Sequence, residues 1–228
     1  MLRDAGIPIV PFFALKSDEY ARDVGGWLTR VENEFGFPCF VKPANMGSSV
    51  GVHRAKDAAS FAKAMQDAFR YDTKVLIERA VAAREIELSA LENPSDSRAP
   101  LVSVAGEITP THEFYSYESK YLDENGAHLQ IPAKLTPEQL KTAQDYARRT
   151  FVALESEGLA RVDLFLDKNT GEFFLNEINT MPGFTSISMY PKMWEASGIG
   201  YSDLLTKLID LARLRHQRRL SLLREFKA

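Results

Sequence analysis

Four polar residues in the last third of the chain are spaced so that they can act together. Arg161 and Asp163 are two residues apart in "RVDLFLD", and Glu177 and Asn179 are two apart in "NEIN". Side chains two residues apart on a strand point to the same face of a sheet. The intervening "KNTG" predicts an antiparallel hairpin, which would bring Asp163, Glu177 and Asn179 together.

These residue types predict a site for a metal ion and a phosphoryl group. Two carboxylates and an amide oxygen are hard ligands that suit Mg²⁺, with phosphate oxygens completing its octahedron. Arg161 beside them could hold a phosphoryl group or a developing oxyanion. The alternative is an exposed strand face that merely carries charges. The polar cluster directly follows an apolar strand, however, and buried charges need partners such as a metal.

A second candidate is the stretch "VKPANMGSSVGVHR", in which Gly47 and Gly51 frame two serines shortly after Lys42. It has the look of a phosphate-binding loop, but it lacks the Gly-Lys-Ser/Thr ending of a P-loop and no helix obviously follows it. Serines between glycines also form ordinary turns. The residues alone therefore leave open whether this loop binds an anion.

The elements that must position these residues alternate between strand and helix in the first half of the chain. Residues 7–15 predict an edge strand at best, because two prolines interrupt them. Residues 17–34 predict one helix with Ser17 as its N-cap. "FPCFVK" and "GVHRA" predict a hairpin, "DAASFAKAMQDAFR" an amphipathic helix capped by Asp57, and "KVLIERAV" a fully buried strand.

The second half predicts two hairpins, two helices and one irregular stretch. "REIELSALE" alternates charged and apolar residues as a half-buried strand does, and "PLVSVAGEI" predicts its partner. Residues 109–134 show no period, and so long an irregular segment is usually functional or disordered. A helix is predicted with Thr136 as N-cap and Pro137 as first residue, before the "KNTG" hairpin. Residues 201–224 predict the last helix.

Composition limits the classes of function. The 228 residues carry 28 basic and 31 acidic side chains, and this net charge of −3 gives no reason to expect a nucleic acid partner. The single cysteine, Cys39, cannot form an internal disulfide and is typical of a reducing compartment. No apolar run approaches the roughly 20 residues that span a bilayer, and no signal peptide is evident. We therefore expect a soluble, cytoplasmic protein without nucleic acid or membrane partners.

Four motifs together resemble one family. "FVKPANMGSSVGV", "VLIERAV", "FYSYESKYL" and "GLARVDLFLDKNTGEFFLNEINTMPGFTSIS" are similar, in order and spacing, to the D-alanine:D-alanine ligases, ATP-grasp enzymes of peptidoglycan synthesis. The resemblance implies an α/β (α+β) ATP-grasp fold with two subdomains of mostly antiparallel sheet and flanking helices. It places the Gly-Ser lid loop in residues 1–81, and the metal site and substrate loop in residues 82–228.

The resemblance also implies roles for individual residues. ATP would contact residues from the lid loop and the strand before it, the connector, the irregular stretch and the strand "EFFLNEIN". These are Lys42, Gly47, Ser48, Ser49, Glu78, Ala80, Val81, Glu85, Lys120 and Asn176. Asp163, Glu177 and Asn179 would bind two Mg²⁺ (or Mn²⁺) ions. Arg161 would stabilise the tetrahedral intermediate, and the catalytic set would include Ser48 and Tyr121.

The implied reaction ligates two D-alanines. The carboxylate of the first attacks the γ-phosphorus of ATP, and the amine of the second then displaces phosphate from the acyl phosphate. Gly183, the Ser188 hydroxyl and the Met189 N–H would receive the second D-alanine. Tyr121, tied to Ser48, favours an amine over D-lactate as the second substrate. A homodimer is compatible with the sequence.

The chain departs from the family at its beginning. These ligases have an additional N-terminal domain that orients the first D-alanine, and nothing here matches it. We therefore expect a truncated form whose own ligase activity is low or absent. Two alternatives remain open: another ATP-grasp carboxylate-amine ligase, such as a D-Ala-D-Lac or dipeptide ligase, and a non-catalytic nucleotide-binding module.

Overall fold

The computed structural model describes residues 1–110, 127–185 and 187–223, which contain nine strands and six helices. In chain order these are β1 Phe12–Lys16, α1 Ser17–Arg22, α2 Val24–Glu34, β2 Cys39–Pro43, β3 His53–Ala55, α3 Ala58–Ala68, β4 Lys74–Arg79, β5 Ala83–Leu91, β6 Leu101–Pro110, β7 Ala127–Gln130, α4 Pro137–Ala153, β8 Leu159–Asp167, β9 Phe173–Asn179, α5 Met189–Ala196 and α6 Tyr201–Leu220. They form two compact units, one containing residues 10–83 and the other residues 1–9, 84–108 and 129–223.

The unit of residues 10–83 is built on a four-stranded antiparallel sheet in the order β1-β4-β2-β3. The edge strand predicted over residues 7–15 is present only as Phe12–Lys16, after both prolines, and β2 pairs with β3 as the predicted hairpin. The prediction that β4 is fully buried is wrong. Val75 and Ile77 are fully buried, but the alternate residues are not, because the apolar cluster with α3 covers only one face of the sheet.

The single helix predicted over residues 17–34 is instead two helices. Asp23 ends α1 and caps α2, where its carboxylate accepts a hydrogen bond from the Gly26 N–H at 2.9 Å. The N-cap of α1 is Lys16 rather than Ser17. The break has a local cause, since an aspartate that bonds the backbone three residues ahead competes with continued helix.

The other unit contains a five-stranded sheet in the order β7-β6-β5-β8-β9. Helix α4 covers one face, where its Ala143 and Ala147 pack with Ile86 and Leu88 of β5. On the opposite face Leu91 packs in a cluster with α5 and α6. The central strand β5 is therefore buried on both faces, and the prediction of a half-buried strand is wrong.

Local signals predicted the start of α4 but not every element of this unit. Thr136 caps α4 and accepts from the Gln139 N–H at 3.2 Å, with Pro137 at the first helical position, as predicted. The strand β7 and the helix α5 have no counterpart in the sequence prediction. No helix in the described residues is long and apolar enough to cross a membrane.

Candidate functional site

The β8–β9 hairpin brings the four predicted polar residues into register. The strands pair antiparallel, with Arg161 opposite Asn179 and Asp163 opposite Glu177. Directly opposed residues share one face of a sheet, with Cβ atoms about 4.5–5.5 Å apart. The register shifts after the Asp163–Glu177 pair, because Leu164 lies opposite Leu175, and the intervening Asn176 is exposed on β9. The convergence predicted from the two-residue spacing is thus present in the backbone.

Arg161 is held within this face by two acids. Its Nε and Nη2 donate to the two carboxylate oxygens of Asp163, each at 2.7 Å. Its Nε also lies 3.3 Å from Oε1 of Glu87 on the neighbouring strand β5. The Arg161 side chain is 20% exposed, so these contacts are well shielded from water. Burial lowers the pKa of Arg161, but the Asp163 hydrogen bonds and nearby acids outweigh it and raise the pKa above its ordinary value.

Glu87 is a member of this cluster that the sequence analysis missed. It is only 5% exposed, and its Oε2 has no hydrogen-bond partner among the described residues. Burial raises the pKa of Glu87 well above its usual value, and the charge of Asp163 raises it further. Arg161 acts in the opposite direction and favours the charged form. The alternation of "REIELSALE" placed Glu87 on a defined face, but only the central position of β5 makes that face buried.

The donor set around Arg161 suits a divalent cation in chemistry and charge. Asp163, Glu177 and Asn179 offer hard oxygen ligands, and Glu85, Asp163 and Glu177 all act electrostatically on Glu87. Among the described residues Oε2 of Glu87 has no hydrogen-bond partner, so Arg161 contacts this carboxylate only through Oε1. The residues therefore fit a divalent ion.

The same ligands are engaged within the protein. Both oxygens of Asp163 bond Arg161, and Oδ1 of Asn179 accepts from the Met181 N–H at 3.0 Å. Within the described ranges, no three His, Cys, Asp or Glu side chains are already grouped as a metal site. An ion bound at these ligands would therefore compete with the hydrogen bonds that Asp163 and Asn179 already accept.

The start of α5 carries the residues predicted to receive the second substrate. Ser188 is the N-cap residue, and its Oγ accepts from the Thr185 N–H at 3.0 Å instead of capping the helix. Met189 is the first helical residue, so its N–H belongs to the positive end of the helix. A Cβ on Gly183 would lie 2.8 Å from Ser188 Oγ, so the glycine leaves room for this hydroxyl. A helix start of this kind suits a carboxylate.

In the other unit, two predicted nucleotide residues contact each other. Lys42 of β2 and Glu78 of β4 form an ion pair of 2.5 Å between adjacent strands. Their side chains are 23% and 16% exposed. Ala80 and Val81 follow β4 in the connector to β5, where Glu85 lies. The lysine charge predicted to meet phosphate is thus balanced by a carboxylate in this state.

The Gly-Ser loop connects the antiparallel strands β2 and β3 and consists of successive turns. Val50 N–H donates to Gly47 carbonyl at 3.1 Å, and Ser48, Ser49 and Gly51 all have positive φ, at 55°, 61° and 69°. The base of the loop is tied down by Asp72, which accepts from the Asn45 backbone N–H at 2.7 Å and the Asn45 side chain at 2.8 Å. The sequence analysis did not identify Asp72.

Two predicted residues cannot be placed. Lys120 and Tyr121 lie outside the described residues, so the predicted Ser48–Tyr121 tie and the predicted lysine contact to the γ-phosphate stay predictions.

Comparison with known proteins places the chain in a family of ligases. The family model described as "D-ala D-ala ligase C-terminus" matches residues 1–210. The chain belongs to this D-Ala–D-Ala ligase family. It is 50% identical over 224 residues to D-alanine–D-alanine ligase A of Bradyrhizobium diazoefficiens, and 49% identical over 218 residues to the D-alanine–D-alanine ligase of Oceanobacillus iheyensis. The family resemblance drawn from the four motifs is confirmed.

These matches cover 97% and 96% of this chain but only 59% and 57% of the two relatives, so the chain spans little more than half of their length. The D-alanine–D-alanine ligase of Coxiella burnetii superposes with a TM-score of 0.75 at 36% identity, covering 96% of this chain and 56% of that one. The VanG D-Ala:D-Ser ligase of Enterococcus faecalis gives 0.80 at 30% identity, covering 92% and 58%. The predicted ATP-grasp fold of this ligase family is confirmed.

Proposed function

We propose that this chain is the part of a D-alanine–D-alanine ligase that binds ATP and divalent ions and joins the two substrates. The observation that carries the proposal is the register of β8 and β9, which sets Asp163 opposite Glu177 and Arg161 opposite Asn179. The family match over residues 1–210 supports the assignment of these four side chains to ATP-dependent ligation. The proposed setting is the cytoplasm, with D-alanine as the small-molecule substrate.

Two ions are the proposed cofactors, held by Asp163, Glu177 and Asn179. Ions at these ligands would neutralise charge on the phosphate groups of bound ATP. The incompletely compensated acidity around Glu87 supports this assignment. Glu177 is exposed on β9 and opposes Asp163, so it is the proposed ligand most accessible to an ion arriving with nucleotide.

The protein's own groups have proposed roles in both chemical steps. Lys42, held by Glu78, would contact phosphate oxygens, and the loop 47–51 would cover them with backbone N–H groups. Arg161 is charged and shielded from water, which suits it to stabilise the oxyanion that develops when the second amine attacks the acyl phosphate. The start of α5 would hold the carboxylate of that second substrate.

A second candidate differs only in the second substrate. The similarity to a D-Ala:D-Ser ligase shows that this fold is shared by enzymes with another preference. Tyr121 favours an amine over a hydroxyl as the attacking group, but it does not separate D-alanine from D-serine. The test must therefore offer both amino acids and D-lactate.

The proposal is tested by identifying the product by mass. The chain is incubated with ATP, Mg²⁺, D-alanine, D-serine and D-lactate, alone and with a separately supplied N-terminal domain from a full-length relative. D-Alanyl-D-alanine in the supplemented tube, with little in the other, is the expected result. Preferential formation of the D-serine dipeptide or the D-lactate ester would establish the second candidate. Absence of any ligation product in both tubes, from a chain shown to be folded, would contradict the ligase assignment.

A further inference from the structure

Arg161 lies between two buried carboxylates but is fully bonded to only one of them. Two nitrogens of its guanidinium pair with both oxygens of Asp163 at 2.7 Å. Glu87 is slightly more buried than Asp163, with 5% of the residue exposed against 8%. It approaches Arg161 only through Oε1, at 3.3 Å. Its Oε2 accepts no hydrogen bond from the described residues. The arginine therefore has one complete partner and one incomplete partner.

A cation bound to Asp163 would compete with Arg161 for the same carboxylate. Each of its oxygens already accepts one hydrogen bond from the guanidinium, so an ion on the remaining lone pairs would face the positive charge of Arg161 and weaken those bonds. A buried guanidinium that loses a carboxylate partner is strongly destabilised unless another acceptor replaces it. Among the described residues of this cluster, Glu87 has a buried oxygen without a hydrogen-bond partner.

We propose that Glu87 is a positioning residue that takes over Arg161 when Asp163 turns to a divalent cation. This inference rests on the proposed function, because Asp163 is a metal ligand only under that proposal. Glu87 would accept from Arg161 through both oxygens, completing the contact that its Oε1 already begins. The guanidinium then stays charged and shielded at the same face of the sheet, with its remaining N–H groups directed to the reacting substrate.

The test compares Glu87→Gln with a matched variant elsewhere in the same sheet. Glu107 is also a buried glutamate, 9% exposed, and bonds Arg84 at 2.8 and 2.7 Å, but it lies opposite Ile86 in register and so faces α4. Glu107→Gln removes one buried carboxylate from one arginine without touching Arg161. If Glu87→Gln fails to fold, Glu87→Asp is measured in its place. The shorter side chain keeps the negative charge but moves the carboxylate away from Arg161.

The first measurement is Mg²⁺ affinity by calorimetry on the whole chain saturated with a non-hydrolysable ATP analogue. Glu87→Gln should weaken Mg²⁺ binding by about tenfold, the lower end of what loss of an outer-shell partner costs, whereas Glu107→Gln should bind like the unaltered chain. Equal affinity in all three would overturn the role of Glu87. Absence of Mg²⁺ binding in the unaltered chain would instead overturn the proposed metal site, so the two failures are distinguishable.

The second measurement separates a positioning role from simple loss of negative charge. The Arg161 Nε–H resonance in ¹⁵N spectra is identified by its disappearance in Arg161→Lys, and its protection from solvent exchange is followed as Mg²⁺ is added. The signal should shift but stay protected in the unaltered chain, and lose protection on Mg²⁺ addition in Glu87→Gln. An Nε–H that stays equally protected in both would show that Arg161 does not need Glu87, and would contradict the proposal.

Discussion

At the residue scale, acidic side chains outnumber cationic ones among the described residues of the site. Arg161 pairs directly with Asp163, Glu87 has one oxygen without a hydrogen-bond partner in the part of the chain that the structure describes, and Glu177 is exposed on the neighbouring strand. Such an arrangement is suited to recruit a divalent ion, because buried carboxylates without cations are costly. The exchange of partners at Asp163 would then be part of ion binding.

The residue types at 161, 163, 177 and 179 were predictable because strand periodicity alone sets their common face. Glu87 was not predictable in the same way. Its burial depends on β5 being the middle strand and on α5 covering that face, where Ser89 Oγ donates to the Tyr190 carbonyl at 3.0 Å. Both depend on contacts between residues far apart in the sequence, which the alternation within one strand does not predict.

Two glycines of the Gly-Ser loop, Gly51 and Gly47, differ in the space available for a Cβ atom and therefore predict different effects of substitution. Gly51 has φ +69°, and a Cβ there would lie 2.7 Å from Tyr71 Cδ2 and 2.8 Å from Pro43 Cγ. Gly51→Ala should therefore destabilise the chain by at least about 1–2 kcal/mol, the cost of a left-handed conformation for a residue with a Cβ. A urea unfolding curve measures the effect.

Gly47→Ala is the control, because a Cβ at Gly47 meets nothing within 4 Å and its φ is not in the left-handed range. Its stability should be close to that of the unaltered chain. Equal destabilisation by the two substitutions would contradict the loop geometry described above.

At the element scale, capping signals were reliable and helix continuity was not. Asp57 caps α3 and Thr136 caps α4 as predicted, because both sequences contain a residue three positions later that completes the cap. The break at Asp23 and the helix α5 were missed. The hydrogen bond from the Gly26 N–H to Asp23 breaks the helix, and hydrophobic periodicity does not reveal such a bond. Helix α5 is only eight residues long and is buried on most of its surface, so it shows no amphipathic pattern.

The cap of α4 can be tested by its contribution to stability. Thr136→Ala removes the bond to the Gln139 N–H and should cost about 1 kcal/mol of unfolding free energy. In a chain of this size that corresponds to a fall of about 2–4 °C in Tm, which thermal unfolding followed by circular dichroism detects.

Thr142→Ala in the same helix is the matched control for this cap. Its hydroxyl donates at 2.9 Å to the Glu138 carbonyl, a group already within the helix, so its loss should change Tm little. A larger fall for Thr142→Ala than for Thr136→Ala would contradict the assigned N-cap.

At the scale of the whole molecule, the described chain consists of two compact units with separate apolar clusters. The unit of residues 10–83 packs its core between one face of its sheet and the helices α2 and α3, and the other unit covers both faces of its sheet. The predicted division at residues 81 and 82 stays a prediction. Sequence patterns do not assign residues 1–9 to a unit, because their contacts, such as the Leu175 N–H to the Pro8 carbonyl at 2.8 Å, are formed across the chain.

The central claim is that this chain binds ATP through divalent ions at Asp163, Glu177 and Asn179. Its most direct test is calorimetric titration of ATP into the chain with and without Mg²⁺, repeated for Glu177→Gln and for Glu172→Gln, an exposed acid in the turn between β8 and β9. We predict that Mg²⁺ strengthens ATP binding in the unaltered chain and in Glu172→Gln, and that Glu177→Gln loses this enhancement. A folded chain that binds no ATP, or a Glu177→Gln variant with unchanged Mg²⁺ dependence, would contradict the claim.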